Sequence, residues 1–382
     1  MLHHSLFTYI YIFLLPYTLK VTLTAINSTS TTYFYYNNTI FSSVTSITRT
    51  MVQEKKLVDE VSGWLRLYED GSVDRTWTGS PEVKFLVEPV PPHEEFIDGV
   101  ATRDIMAGDN FRVRLYLPEN ISNEEKLPIF LHFHGGGFCI SEPDWFMYYQ
   151  FYTRFARVAR VIVVSPFLRR APENRLPAAI DDGFFALLWL DSVARRNAEE
   201  PWLKKHGNFG RVFLIGDSSG GNIVHEVAVR AGEAKLDLLH LAGGIPIHPG
   251  FMRSKRSRSE LEKPQSPFLT LDMVDKFMSL ALPLGSNKDH PIACPMGGGA
   301  PPLSGLKLPP ILLCLAEMDL IFDTEMEYNE AMKKANKDVE LFVNKGATHS
   351  FYLNKIAVDM DPNTGAQTEA LIARIKEFIE QH

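Results

Sequence analysis

Short runs of almost entirely apolar residues constrain the fold of this 382-residue chain most. The run at 127–133 (LPIFLHF) is typical of a strand that is covered on both faces, because a strand with one face in water alternates polar and apolar side chains. Three later runs have the same character: 161–165, 211–215 and 311–316. Segments of helical length separate the first three runs: 146–160 and 177–196. Strands that alternate with helices predict an α/β fold with a mostly parallel central sheet flanked by helices.

Other periodic segments extend this pattern. Apolar and polar residues alternate with period two at 111–117, which predicts a half-buried strand. The segment 339–343 is predicted to be another strand. Near the N-terminus, 54–67 predict an amphipathic helix, and 368–380 predict a closing helix. The apolar side of the first helix would be formed by Leu57, Val58, Val61, Trp64 and Leu65. No repeat of fixed period is visible, so one α/β domain is predicted for 51–382.

Composition and charge exclude several classes of protein. Hydrophobic residues make up 45% and charged residues 22% of the chain, as in ordinary globular proteins, which excludes a disordered chain and a polytopic membrane protein. The formal net charge of −7 disfavours a nucleic-acid partner. Only three cysteines are present, Cys139, Cys294 and Cys314, which excludes a disulfide scaffold. We therefore expect an enzyme-sized globular domain.

Residues 1–50 differ in composition from the rest. They contain no Asp or Glu, and their apolar stretch at 6–17 is too short for a confident membrane span. That stretch has the length of a signal-peptide core, but residues 1–4 lack Lys and Arg. Three interpretations stay open: a low-complexity leader that is disordered or absent from the mature protein, a signal or anchor, and a folded segment. We expect a cytoplasmic protein without a membrane span, or a secreted one if 1–25 act as a signal peptide.

The strongest chemical motif is the G-x-S-x-G pattern at 216–220. It follows an apolar strand and precedes a helix-compatible segment, which is the setting of a nucleophile elbow. Ser218 is the predicted nucleophile, and Asp217 and Gly220 are predicted to be structural residues of the turn, where a side chain at 220 would clash. A phosphate-gripping loop is the alternative, but the P-loop lysine and its spacing are absent.

A second motif, FHGGGF at 133–138, also follows a predicted central strand. Glycines there allow backbone amides to point into one space and hold a tetrahedral oxyanion. We predict that the amides of Gly135, Gly136 and Ser219 form this oxyanion hole, with His134 and Gly137 as structural residues. His132 and His134 could be misread as metal ligands, but no third ligand has a usual spacing. No metal or cofactor is predicted.

The base and the acid should follow the nucleophile in the order Ser, Asp or Glu, His. Asp319 comes just after the predicted strand at 311–316, where its carboxylate could orient an imidazole. Glu317 is the weaker alternative, and Asp323 is predicted to cap the next helix. His349 lies in a loop after the last predicted strand. The predicted catalytic residues are therefore Ser218, Asp319 and His349.

These motifs together resemble a known family. The segments HGGGF, GDSSGGN, 319–323 and His-Ser-Phe at 349–351 are similar to those of the hormone-sensitive-lipase-like branch of the α/β hydrolases. More narrowly, the chain from Met51 to the C-terminus resembles the plant carboxylesterase family, to which the gibberellin receptors are related. The resemblance implies an α/β-hydrolase fold with a helical cap built from elements near 51–75 and 252–282.

Two segments depart from the family pattern. The usual Y-R-L-A-P-E-H is L-R-R-A-P-E-N at 168–174, and the usual His-Gly-Phe has Ser350 in place of glycine. The first departure concerns the shape of the pocket or local stability, and neither changes a predicted catalytic residue.

Three functions are compatible with the motifs and the resemblance. The first is hydrolysis of small to medium, apolar carboxylic esters through an acyl-enzyme on Ser218. The second is a lyase or cyclase of plant specialised metabolism on the same scaffold. The third is a non-catalytic hormone receptor, which the presence of His349 disfavours because the related receptors lack the catalytic histidine. The expected partner is a small ester, and the expected state is a monomer or homodimer.

Overall fold

The computed structural model describes residues 27–28, 31–32, 34–36, 39–41, 55–266 and 268–382. The chain divides into two units, Met1–Lys55 and Lys56–His382. Four short strands in the first unit form two antiparallel pairs: β1 (Asn27–Ser28) with β2 (Thr31–Thr32), and β3 (Phe34–Tyr36) with β4 (Thr39–Phe41). The predicted leader at 1–50 otherwise lies outside the described residues, so the three interpretations of it stay predictions.

The second unit begins with a small antiparallel sheet where a helix is predicted. Its strands are β5 (Leu57–Val61), β6 (Leu65–Tyr68) and β7 (Val73–Asp74). The prediction of an amphipathic helix at 54–67 is therefore wrong. Gly63 at φ +76° makes a tight turn in which the amide of Trp64 donates to the carbonyl of Val61 (2.8 Å), and Gly71 at φ +78° makes the next turn. Glycine favours this left-handed backbone region and disfavours helix interiors, which explains the strand pairing.

An eight-stranded sheet forms the centre of the second unit. Its strands are β8 (Val100–Gly108), β9 (Phe111–Pro118), β10 (Leu127–Phe133), β11 (Ile162–Pro166), β12 (Gly207–Asp217), β13 (Leu241–Ile247), β14 (Ile311–Ala316) and β15 (Val339–Asn344). Their order is β15-β14-β13-β12-β10-β11-β9-β8, and every neighbouring pair from β15 to β11 is parallel. At the other edge of the sheet, two pairs are antiparallel: β11 with β9, and β9 with β8. The predicted mostly parallel sheet is confirmed.

Both faces of this sheet are covered, as the apolar runs indicate. All seven residues of β10 are buried, and Ile129 and Leu131 join one apolar cluster while Phe130 joins another on the opposite face. The first cluster includes residues of α2 (Ala178–Ala194) and α4 (Ser219–Glu233), and the second includes residues of α1 (Phe146–Ala159) and α9 (Pro362–Gln381). The sheet is therefore the middle layer of three.

The remaining helices are shorter or follow the last strands. They are α3 (Pro201–His206), α5 (Arg258–Glu262), α6 (Leu271–Ala281), α7 (Phe322–Lys334) and α8 (Lys355–Met360). Short 3-10 helices cover Pro81–Val87, Leu303–Gly305 and Phe351–Leu353. Asp323 lies inside the first turn of α7 and accepts a hydrogen bond from the amide of Ser259 (2.8 Å), so the prediction that it caps this helix is wrong. Within the described ranges, no helix is long and apolar enough to cross a bilayer.

Candidate active site

Ser218 lies at a sharp turn between β12 and α4. Its backbone has φ 52° and ψ −124°, a region that residues with a side chain rarely adopt. The Ser218 amide donates to the carbonyl of Ile247 (2.9 Å), and the Ser218 carbonyl accepts from the amides of Gly221 (2.8 Å) and Gly250 (3.0 Å). A Cβ on Gly220 would lie 2.0 Å from the carbonyl oxygen of Phe133, so only glycine fits there. These contacts hold Ser218 at the edge of a cavity that it helps to line.

Asp319 and His349 meet at the same edge of the sheet, after β14 and β15. The Nδ1 atom of His349 lies 2.6 Å from Oδ2 of Asp319, and both side chains are buried. The other carboxylate oxygen of Asp319 accepts from the amide of Ile321 (3.1 Å). Burial alone raises the pKa of the Asp319 carboxyl, but the adjacent His349 and their hydrogen bond lower it below its usual value. An ionised carboxylate in this position can fix the tautomer of His349 and leave Nε2 as the proton acceptor.

Glu317, the alternative acid, makes a different set of contacts. Its carboxylate accepts from the amide of Gly346 (2.9 Å) and lies 3.2 Å from Nζ of Lys345. The hydrogen bond from Gly346 and then that from Lys345 lower the pKa of the Glu317 carboxyl. Glu317 thus holds the loop that precedes His349, while the contact with the imidazole belongs to Asp319.

The glycine motif forms a loop beside Ser218, but its first amide is already engaged. The amide of Gly135 donates to the hydroxyl of Tyr148 (3.0 Å) and to Oδ1 of Asp217 (3.2 Å), and Gly135 does not line the cavity. Our assignment of Gly135 to the oxyanion hole is contradicted by these bonds. Gly136 and Gly137 both line the cavity, and their amides have no hydrogen-bond acceptor in the described part of the chain.

Ser219 lines the same cavity beside Gly136 and Gly137. It is the first residue of α4, so its amide has no intrahelical acceptor. Its hydroxyl accepts a hydrogen bond from the amide of Phe138 (3.1 Å), which ties the glycine loop to the start of the helix. The helix N-terminus adds a positive dipole end at the same point. Gly136, Gly137 and Ser219, and not Gly135, are therefore the residues of these two loops that line the cavity and keep an amide without an acceptor among the described residues.

Buried polar side chains brace the two loops from behind. Asp217 accepts from the Tyr148 hydroxyl (3.2 Å), and His134 donates through Nδ1 to the carbonyl of Gly135 (2.9 Å). Burial lowers the pKa of His134 to about 4, so the ring is neutral at pH 7. His132 has its Nδ1 2.7 Å from the Ser165 hydroxyl. Sequence reasoning missed Tyr148, because a tyrosine on an amphipathic helix gives no signal of the loop it will meet.

The cavity above Ser218 is small and mostly apolar. Its volume is about 50 Å³, which is room for a few water molecules. Apolar side chains of its wall include Trp64, Met147, Met252, Met273, Phe277 and Met278. Trp64 comes from the turn before β6, and three of the others come from α6, so both predicted cap segments contribute to the wall. No lysine or arginine lines the cavity among the residues that the structure describes.

Comparison with known proteins defines the class to which this chain belongs. Residues 130–353 match the family model of the α/β hydrolase fold. Solved structures show the same fold: carboxyl esterase 2 from the fungus Tuber melanosporum has a TM-score of 0.61 at 21% identity over 77% of this chain and 94% of its own. An esterase from Pyrobaculum calidifontis has a TM-score of 0.58 at 24% identity over 73% of this chain and 84% of its own. The chain is an α/β hydrolase.

Plant relatives place the chain more narrowly. The protein named probable carboxylesterase 6 from Arabidopsis thaliana is 36% identical over 78% of this chain and 85% of its own. A 2-hydroxyisoflavanone dehydratase from Glycyrrhiza echinata is 36% identical over 85% of this chain and 97% of its own. A gibberellin receptor from Arabidopsis thaliana is 36% identical over 71% of this chain and 80% of its own. The chain therefore belongs to the plant carboxylesterase family, in the hormone-sensitive-lipase-like branch, as its motifs predict.

Proposed function

We propose that this protein hydrolyses small to medium, apolar carboxylic esters. The observation that carries the proposal is the buried hydrogen bond between His349 and Asp319 at the cavity that Ser218 lines. A serine on a strained turn, an imidazole and an orienting carboxylate are together the groups that acyl transfer requires.

The reaction would proceed in two halves. The Oγ atom of Ser218 attacks the acyl carbon while Nε2 of His349 takes its proton, and the amides of Gly136, Gly137 and Ser219 stabilise the oxyanion. The imidazolium, oriented by Asp319, then protonates the leaving alcohol. Water attacks the acyl-enzyme with His349 as base, and collapse of the second intermediate releases the acid and restores the Ser218 hydroxyl.

The cavity supports an uncharged substrate with a short acyl chain. Its wall carries no cationic side chain in the described ranges, and its volume is about 50 Å³. Longer chains would require movement of wall residues, and the four methionines among them, Met147, Met252, Met273 and Met278, are flexible enough to adapt. We therefore expect acetate and butyrate esters to react faster than octanoate esters.

The test is ester turnover by the full chain. We would compare p-nitrophenyl acetate, butyrate and octanoate for the wild type, Ser218→Ala and Ser304→Ala, a control at an exposed serine. We expect turnover in the wild type and Ser304→Ala and a loss of about 10⁶-fold in kcat for Ser218→Ala. A folded wild type that turns over none of these esters would overturn the proposal and favour the eliminating or receptor functions of its relatives.

A further inference from the structure

A second buried histidine, His248, lies beside the Asp319–His349 pair and has no part in the proposed reaction. It follows β13, its side chain is fully buried, and its amide donates to the carbonyl of Cys314 (2.7 Å). One ligand-type atom from each of His248, Asp319 and His349 lies within 4.8 Å of the others. The His248 and His349 ring centroids are 5.8 Å apart. A residue with these neighbours can act on the geometry of the proposed base.

The contact that matters is with the residue after His349. The Nδ1 atom of His248 accepts a hydrogen bond from the amide of Ser350 (3.0 Å). Ser350 has φ +50°, a left-handed conformation that is unfavourable for a residue with a side chain. A buried amide that lost this acceptor would be left unpaired. The His248 ring thus holds the strained backbone that sets the direction of His349.

His248 also has to stay neutral to do this. The charged and titratable groups that act on it are Asp319, His349 and Asp217. Burial lowers the pKa of His248 to about 3, although Asp319 opposes that shift. Because Nδ1 accepts from an amide, the ring proton must be on Nε2. A neutral ring leaves the Asp319 carboxylate to His349 when His349 takes the proton from Ser218.

We propose that His248 is a positioning residue, which accepts the Ser350 amide and thereby fixes the loop that carries His349. This inference rests on the proposed function, since it assigns His248 a part in orienting that reaction's base.

Two variants separate this role from simple filling of the core. His248→Asn keeps an acceptor near the position of Nδ1, whereas His248→Phe keeps the ring but removes the acceptor. If His248 only fills space, phenylalanine should be the better replacement, because asparagine leaves a cavity. If His248 positions the loop, kcat should fall about 10²-fold in His248→Phe with KM little changed, and His248→Asn should recover most of the loss.

His225 supplies the matched control. It is also a buried histidine, with a hydrogen bond between its Nδ1 and the hydroxyl of Tyr328 (3.0 Å), but it lies on α4 and does not line the cavity. We expect His225→Phe to keep kcat within about threefold of the wild type, even where it loses stability. An active wild type in which His248→Phe equals or exceeds His248→Asn would overturn the inference. An inactive wild type would instead contradict the proposed ester hydrolysis.

A measurement on the wild type decides the question even if a variant does not fold. Nitrogen-15 NMR of labelled histidines distinguishes a protonated from an unprotonated ring nitrogen. We expect Nδ1 of His248 to be unprotonated and hydrogen-bonded from about pH 5 to pH 9. Protonation of that nitrogen within this range would overturn the inference whatever the enzyme turns over.

Discussion

Nδ1 of His349 is 2.6 Å from a carboxylate oxygen of Asp319, at side-chain exposures of 3% and 0%. The two residues are 30 positions apart and reach each other because β14 and β15 are parallel neighbours whose carboxyl ends lie at one edge of the sheet. The sheet topology thus creates the contact, and no local feature of either loop could do so alone.

We predict that Asp319→Asn lowers kcat by about 10³–10⁴-fold, because an amide that donates to Nδ1 would favour the wrong tautomer of His349. The measurement is turnover of a p-nitrophenyl ester in variants of verified fold. Glu317→Gln is the control, since its carboxylate bonds Gly346 and Lys345 and not the imidazole. A larger loss in Glu317→Gln than in Asp319→Asn would reverse the assignment of the acid.

The stability of the protein should fall in mild acid because several histidines are buried in the neutral form. Burial lowers the pKa values of His134 and His225 to about 4 and that of His248 to about 3. Below the unfolded value of about 6.5, the unfolded chain binds protons that the native state does not, so the free energy of unfolding decreases as pH falls towards 4. Each such histidine contributes about 1 kcal/mol of this loss between about pH 7 and pH 5.5.

Denaturant unfolding of the wild type and His225→Phe at these two pH values measures the effect. The variant is expected to be less stable at both, since Tyr328 loses a partner, but its stability should change with pH by about 1 kcal/mol less. An unchanged pH dependence in His225→Phe would mean that the pKa of His225 is the same in the native and the unfolded states.

The glycine loop lies directly against α6 at Gly137. Gly137 has φ +59°, and a Cβ there would lie 2.4 Å from the ring of Phe277 on α6. Gly137→Ala should therefore move the loop and lower kcat by about 10²–10³-fold, as the loss of one oxyanion donor does. Gly137→Ala combined with Phe277→Ala should recover part of this loss, which kinetic analysis of the double mutant would measure. No recovery would assign the whole effect to the backbone at Gly137.

The motifs and most of the sheet could be predicted because each depends on a short stretch of chain. A buried strand shows as an apolar run, as at Leu127–Phe133, and the turn at Ser218 shows through the glycines that its geometry requires. The strands Val100–Gly108 and Leu241–Ile247 escaped prediction. The second contains two glycines and a proline, which obscure the strand pattern although the whole strand lies inside the sheet.

Contacts between distant segments could not be predicted. The side on which the Gly135 amide points depends on Tyr148 from α1 and Asp217 from β12. The strands at Leu57–Val61 and Leu65–Tyr68 have apolar residues spaced as in a helix. The turn signals available in that segment were Gly63 and the Asp70-Gly71 pair. They decide for an antiparallel sheet although the apolar residues have helical spacing.

Arg75 joins the small N-terminal sheet to the glycine loop, and the last prediction tests that connection. Its Nε donates to the carbonyl of Cys139 (2.6 Å), its Nη2 donates to the carbonyl of Ala171 (2.8 Å), and both terminal nitrogens bond Glu173 (2.8 and 2.6 Å). The planar guanidinium reaches two carbonyls and a carboxylate at once. A lysine has a single ammonium group and cannot reproduce this planar set of bonds. We expect Arg75→Lys to lower kcat by about tenfold through a looser glycine loop.

Arg66→Lys is the matched control, because Arg66 bonds Asp74 (2.6 Å) within the same small sheet and does not touch the glycine loop. We expect it to keep kcat within about twofold, since half-exposed ion pairs contribute little. The loss of kcat in Glu173→Gln should be intermediate between those in Arg66→Lys and Arg75→Lys, because Arg75 keeps both of its carbonyl acceptors. The kinetics of the three variants, measured beside their thermal stability, decide the point: an equal loss of kcat in Arg66→Lys and Arg75→Lys would mean that the small sheet acts through its overall folding and not through the bond to Cys139.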